Sequence, residues 1–110
     1  MDIWYSKIEE NHLDKSVNWD IINTESLEGW PYISPDGNEL WYTGLYMGTP
    51  AIFRFINRAD GWETPEMIIS QFTGEPTLDR DGNLYFVHHY YNNGIMIESD
   101  IYIAKRVTGK

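Results

Sequence analysis

The sequence contains no cysteine and few cations. Without cysteine the chain can form no disulfide framework, and cysteine usage does not indicate the redox compartment. Lysine and arginine number 8 against 17 aspartates and glutamates, which gives a net charge of −9. This surplus of negative charge argues against binding to nucleic-acid backbones and to anionic membrane surfaces, because both require a basic patch.

Long apolar runs and helical periodicity are also missing from the sequence. No apolar stretch approaches the roughly 20 residues of a membrane-spanning helix. The N-terminus lacks the basic-then-apolar pattern of a signal peptide, because Asp2 and Trp4 follow Met1 directly. We therefore assign no cellular compartment. Apolar residues nowhere recur at i, i+3, i+4 and i+7 over three turns, so no long amphipathic helix is predicted.

The sequence does contain an internal repeat. The segment Gly29–Tyr42 returns as Gly74–Phe86, which repeats its glycine, proline, Asp-Gly-Asn turn and aromatic pair about 45 residues later. A second element recurs every 49 residues as Asp2–Lys7, Ala51–Ile56 and Asp100–Lys105. A period of this length, built on turns and aromatic residues, is typical of propeller blades.

Each repeat unit divides into four short segments that favour β-strands. We designate them A (Pro31–Ser34), B (Leu40–Thr43), C (Ile52–Ile56) and D (Trp62–Ile68). Aromatic and β-branched residues dominate B and C, and such residues suit a pleated, packed surface. The chain is therefore predicted to be all-β, with nine strands of antiparallel four-stranded blades in the order C-D, A-B-C-D, A-B-C.

This order divides one predicted domain of 110 residues into three parts. Residues 1–28 hold an orphan C strand (Asp2–Lys7) and an orphan D strand (Trp19–Asn23). Residues 29–73 form a complete blade, and residues 74–110 form a blade that lacks its outer strand. Trp19 and Trp62, 43 residues apart, are expected at equivalent places at the start of outer strands.

Tight turns connect A to B in both units. Asp36-Gly37 and Asp81-Gly82 each provide an Asp-Gly pair, and this pair accepts the positive φ that tight hairpin turns require. We therefore expect Gly37 and Gly82 at positive φ.

The motif around the first turn, Ser34-Pro35-Asp36-Gly37 followed by Leu40-Trp41-Tyr42, resembles the TolB-type, WD-like β-propeller repeat. The strings Trp62-Glu63-Thr64-Pro65 and Asp100–Arg106 also match pieces of that repeat. Asp79-Arg80 departs from its Ser-Pro, and Ala51 stands where the family has aspartate. The resemblance implies blades of four antiparallel strands. It also implies a binding platform, a scaffold or an enzyme accessory domain, without choosing among them.

An incomplete set of blades leaves a sheet face and strand edges in water. The sequence therefore predicts either a homo-oligomer that completes its blades or a piece of a longer propeller whose other blades are missing. For the oligomer we expect head-to-tail contacts, with the D strand of one chain completing the A-B-C of another. A trimer of six blades is favoured and a tetramer is next. A face-to-face dimer is the remaining alternative.

Propellers usually bind ligands on the face that carries the B–C and D–A loops. Here these loops are predicted at 23–29, 45–50, 70–74 and 88–99. Aromatic groups beside carboxylates suit a carbohydrate or a peptide, through stacking and hydrogen bonds. The competing interpretation is that the aromatic residues only cap an aromatic core. The candidate ligand-binding residues are Glu28, Trp30, Tyr46, Glu75, His89, Tyr90 and Tyr91.

Catalytic and metal signals are weak in this sequence. His88 and His89 are adjacent on a predicted strand and point to opposite faces, so they cannot share one metal ion unless the strand ends there. His89 with Glu75 and a third ligand is an alternative, and a strand-end histidine satisfied by hydrogen bonds is favoured over it. Asp79-x-Asp81-Gly82-Asn83 lacks the downstream glutamate of a calcium loop. We therefore assign no catalytic residue, metal or cofactor and predict a non-enzymatic binding or scaffold module. The alternative is a fragment or subunit of a propeller hydrolase or lyase acting on carbohydrate or peptide.

Overall fold

The structure is a computed structural model that describes residues 2–70 and 72–107. Within these ranges the chain is all-β, with antiparallel sheets and no helix, so the predicted fold class is confirmed at this level. Since these residues form no helix, they include none that could span a membrane. The strands are β1 (Trp4–Tyr5), β2 (Ile8–Glu9), β3 (His12–Leu13), β4 (Val17–Asn18), β5 (Gly29–Ile33), β6 (Glu39–Tyr46), β7 (Thr49–Arg58), β8 (Gly61–Trp62), β9 (Glu66–Ile69), β10 (Thr73–Leu78), β11 (Leu84–Asn92) and β12 (Ile95–Ala104).

The central sheet contains the chain segments designated A, B, C and D. Strands β5, β6 and β7 pair in this order, and β8 and β9 both pair with β7. The predicted D strand is thus split in two. Pro65 lies in the gap between β8 and β9 and has no N–H to donate to a ladder, which explains the interruption.

The second sheet has the order β10-β11-β12, which corresponds to the predicted A-B-C. Strand β12 pairs with β11 along its length, and no described strand lies on its other edge. At the N-terminus, β1 pairs with β4 and β2 pairs with β3. None of these sheets closes on itself within the described residues.

The N-terminal region differs from its predicted form. Residues Trp19–Asn23 form a turn instead of a D strand, because the N–H groups of Ile22 and Asn23 both donate to the carbonyl of Trp19 at 3.1 Å. The strand that pairs with β1 lies just before, as β4. The Asn23 side chain fixes this turn through two hydrogen bonds of 2.8 Å to the backbone of Ile3.

The short β2–β3 hairpin adds two strands and the split of the predicted D strand adds one, so the described residues contain twelve strands where nine were predicted. The β2–β3 hairpin turns at Glu10 and Asn11, both at positive φ. The predicted loop over 88–99 was wrong, since β11 runs to Asn92 and β12 begins at Ile95. Asn93 and Gly94, with φ of 53° and 78°, form the two-residue connection. The Asn-Gly pair is the strongest sequence signal for such a turn.

Both faces of the central sheet are covered. Alternate residues of a strand face opposite sides, so Leu40 and Trp41 enter different clusters. Leu40 packs with Phe55 and Ile3 of the N-terminal region. Trp41 packs with Ile52 and with Leu84 of the second sheet. Fully burying one such side chain stabilises the fold by about 1.5–3 kcal/mol.

Trp19 and Trp62 share one environment but not equivalent strand positions. Their rings meet edge to face at 5.1 Å, and both pack on Phe55 at 5.7 and 4.7 Å. The expectation that they pack on the sheet is confirmed. Their predicted place at the start of outer strands was wrong, because Trp19 follows β4 and Trp62 ends β8.

The two Asp-Gly turns are confirmed. Gly37 and Gly82 have φ of 76° and 81°. Their N–H groups donate to the carbonyls of Ser34 and Asp79 at 2.9 and 3.1 Å, which closes each turn. Hydrogen bonds from the Asn83 side chain and then its N–H hold the pKa of Asp79 below its ordinary value of 3.8.

Replacing Gly37 by alanine is expected to lower the free energy of unfolding by about 1–2 kcal/mol. No atom lies within 4 Å of the position of a Cβ at this residue, so the cost is backbone strain alone. Urea unfolding followed by tryptophan fluorescence measures it. Gly37→Asn is the control and should lose less, because asparagine tolerates positive φ. Equal, negligible losses for both variants would contradict the turn conformation.

Acid is expected to remove the stabilisation provided by Asp79. The pKa of this carboxyl is lowered in the folded state, so its contribution is present above the unfolded pKa and is lost as the pH falls through the folded value. Unfolding free energies measured by urea titration from pH 7 to about pH 2 should fall less steeply for Asp79→Asn than for the wild type. Parallel curves for the two proteins would refute this linkage.

Candidate functional site

A cleft of about 100 Å³ opens between the central sheet and the second sheet, at the beginning of β5 and β10. Three of the seven predicted ligand-binding residues meet there, because the repeat places β5 and β10 side by side. The lining includes Trp30, Glu75 and His89, together with Leu27, Thr43 and Gly74.

The same backbone feature positions Trp30 and Glu75. Each follows a glycine and precedes a proline, and each has positive φ, 48° for Trp30 and 57° for Glu75. The pairing register shifts at both places, between Gly29 and Tyr32 and between Gly74 and Thr77. Such a bulge re-aims a side chain. A left-handed conformation costs a residue with a side chain of order 1–3 kcal/mol, and such strain concentrates at functional sites.

Thr43 connects the two sheets at the floor of the cleft. Its Oγ1 accepts a hydrogen bond of 2.9 Å from the N–H of Glu75. Gly74 permits this approach, because a Cβ at that position would lie 2.9 Å from the same Oγ1. Thr43 is buried and Glu75 is exposed, so the hydrogen bond is partly shielded from water. The bond therefore fixes the left-handed segment of β10 against β6.

The ring of His89 is held by the neighbouring strand. Its Nδ1 lies 2.8 Å from Oγ of Ser99, which is directly opposite in the β11–β12 pairing. Its backbone N–H donates to the carbonyl of Phe72 at 2.9 Å. The cleft thus combines an indole, a carboxylate and an oriented imidazole. This combination can stack on a planar or sugar ring and form hydrogen bonds to hydroxyl or amide groups.

Glu28 lies apart from this cleft. Its side chain is only 3 % exposed and accepts hydrogen bonds from the N–H and hydroxyl of Thr24. It lines a separate cleft of about 290 Å³ with Tyr42 and Phe53, whose rings stack at 5.6 Å. Burial, and then the nearby Glu28 carboxylate, raises the pKa of Tyr42.

The remaining candidate residues are tyrosines near the ends of strands. Tyr46 ends β6 and is exposed, and Tyr90 and Tyr91 are exposed near the end of β11. The Tyr91 ring packs on Phe72 at 4.7 Å. None of the three lines the cleft of Trp30, Glu75 and His89. The seven candidates therefore do not form one site.

Metal ligation finds no support in the described part of the chain. Across residues 2–70 and 72–107, no three histidine, aspartate or glutamate side chains are grouped to hold an ion. His88 packs its ring against Tyr102 at 5.5 Å, whereas His89 bonds to Ser99. The oxygens of Asp79 are occupied by the hydrogen bonds of its own turn.

Sequence reasoning missed Thr43 and Gly74 as members of the site. In the sequence, Thr43 is recognisable only as the last residue of a predicted aromatic strand, and Gly74 only as a repeated glycine. A usable signal was present, because a glycine repeated before an X-Pro pair within a strand indicates close approach of another group. The group that approaches could not be identified, since it lies 31 residues away in the sequence.

Comparisons of the chain with protein families, with curated proteins and with solved structures gave no significant match.

Substituting Thr43 by valine is expected to lower the unfolding free energy by about 0.5–1.5 kcal/mol, because the part-buried N–H of Glu75 loses its acceptor. Thr43→Ser keeps the hydroxyl and is the matched control. Chemical denaturation of the three proteins gives the comparison. The result would contradict the assigned hydrogen bond if the valine variant were at least as stable as the serine variant.

Proposed function

We propose that the protein is a non-enzymatic binding or scaffold module of propeller type, which self-assembles by covering its second sheet. One internal comparison carries this proposal. Ile52 of β7 and Ile101 of β12 occupy the same place in the repeat, 49 residues apart. Ile52 is 0 % exposed, whereas Ile101 is 77 % exposed. The same position of the repeat is therefore buried in one copy and exposed in the other.

The difference arises from the surroundings of the two strands. Strand β9 pairs with one edge of β7, and Leu84 of the second sheet packs on its face. Within the described residues no strand pairs with the outer edge of β12, and Ala104 at its end is the part of β12 that packs on the cluster around Leu84. The exposed apolar side chains of β12 are Ile95, Met96, Ile97, Ile101, Tyr102 and Ile103.

The edge of β12 is protected only in part. Natural edge strands are blunted by charged side chains, especially lysine, by proline, by bulges or by shortness. Strand β12 has ten residues with neither lysine nor proline, and its charges and its register shift lie at Asp100 and before it, which leaves Ile101–Ala104 without such protection. Large exposed apolar patches of this kind mark interaction surfaces. Association with another β-surface is therefore the expected behaviour.

The mode of assembly in this proposal differs from strand exchange. Strand β4 pairs with β1 of the same chain, so it is not the donor strand for another copy in this proposal. Two alternatives differ from it in the mass that would be measured. One is a head-to-tail ring of three or four copies. In the other, the missing blades of a longer propeller cover the second sheet. A carbohydrate or peptide is the proposed ligand class for the cleft of Trp30, Glu75 and His89.

The hydrolase or lyase alternative has less support. Such an enzyme needs several polar groups that converge on one point. In the described residues the cleft brings together only one carboxylate and one imidazole, and the imidazole Nδ1 is engaged with Ser99.

Sedimentation at micromolar concentration is expected to show a multiple of the 12.9 kDa chain mass. Ile101→Lys should shift the protein to the monomer, because a charge would be buried in the contact. Ile8→Lys is the matched control, since Ile8 is 75 % exposed on the β2–β3 hairpin, and it should leave the mass unchanged. A wild-type protein that stays at the monomer mass at all concentrations would overturn self-assembly and favour missing blades.

A further inference from the structure

The regular part of β12 and the residues after it carry a self-complementary pattern. Pairing with β11 is uninterrupted from Ala104 back to Glu98, and the register shifts only beyond this point. Counted outwards from Tyr102, each side begins with an isoleucine, Ile101 on one side and Ile103 on the other. The fourth residue on each side is charged, with Glu98 before the centre and Arg106 after it.

From this pattern we infer that two copies join through the free edges of β12, antiparallel, with Tyr102 opposite its own copy on the twofold axis. The inference rests on the proposed self-assembly and specifies its geometry. In this register Ile101 faces Ile103 of the second copy, and Glu98 faces Arg106. Two three-stranded sheets then become one continuous sheet of six strands.

Charge and apolar contact together select this register over its neighbours. Directly opposed residues of antiparallel strands interact most strongly, and opposite charges there are favourable. A register centred on Ser99 would place Glu98 of each copy opposite Asp100 of the other, which brings four carboxylates together without a cation.

A register centred on Ile101 leaves Glu98 opposite Ala104, so it forms no charge pair. A register centred on Ile103 pairs Asp100 with Arg106 but places Ile101 opposite Lys105, an apolar side chain against a charge.

The charged groups are exposed, and the Arg106 side chain, which lies against Gly82, must turn outward to make this contact. None of Glu98, Asp100, Lys105 and Arg106 takes part in an ion pair within residues 2–70 and 72–107. In the central sheet the edge of β7 already uses such a pair, because Arg54 of β7 bonds to Glu66 of β9 across the ladder. The bare edge of β12 would thus be covered by the same type of contact.

Disulfide trapping tests the register directly. The chain has no cysteine, so one introduced cysteine can form a disulfide only between two copies. Tyr102→Cys should form a covalent dimer readily under mild oxidation, because residues opposite each other in antiparallel strands have the spacing of a disulfide. Ile95→Cys, exposed on the same strand but seven residues from the axis, is the matched control and should remain largely monomeric in denaturing electrophoresis.

Charge reversal provides a second test that leaves Tyr102 in place. Glu98→Arg and Arg106→Glu should each weaken dimerisation roughly tenfold, since each creates two like-charge contacts. The double variant should recover the wild-type affinity. Circular dichroism confirms that each variant keeps its β-fold.

The results of these experiments distinguish failure of the inferred register from failure of the proposed self-assembly. A monomeric wild type overturns both. Suppose instead that the wild type associates, but the Tyr102→Cys variant crosslinks no faster than the Ile95→Cys variant and the double charge variant shows no recovery. That result overturns the register but leaves self-assembly standing. A mass of three or four chains also overturns the twofold edge contact, whereas a dimer with selective crosslinking of the Tyr102→Cys variant supports it.

Discussion

Burial of strand β7 on both faces holds the described structure together. Phe55 joins the central sheet to the N-terminal region, and Ile52 joins it to the second sheet, and both are fully buried. Each sheet therefore depends on a neighbour for the cover of its apolar face. Among the described residues, the second sheet packs on the central sheet through Leu84 while most of β12 stays exposed, and this asymmetry is the physical origin of the proposed assembly.

The candidate cleft is a consequence of the same stacking. Two equivalent bulges, at Trp30 and Glu75, come together because β10 packs beside the central sheet. The hydrogen bond from Glu75 to Thr43 then fixes the strained backbone. The proposed assembly and the proposed ligand binding involve separate parts of the second sheet, since the cleft lies at the beginning of β10 and the free edge belongs to β12.

Local chemistry explains what could be predicted from sequence and what could not. The Asp-Gly turns and the aromatic strands around Leu40 and Ile52 were recognisable because their signals lie within a few residues. The turn at Trp19–Asn23 depends on a side-chain contact of Asn23 with Ile3, 20 residues away, and so escaped prediction. In the same way, Trp30, Glu75 and His89 could be named as candidates, but only packing shows that Glu28 belongs elsewhere.

Hydrogen exchange of the β12 amides tests the central claim most directly. If assembly covers the free edge, the outward-facing amides of Ile95–Ala104 should become protected as the protein concentration rises, because edge hydrogen bonds then replace water. The amides of β7 that pair with β6 or β9 should be protected at every concentration. Rapid exchange along the outer edge of β12, unchanged from low to high concentration, would contradict the account.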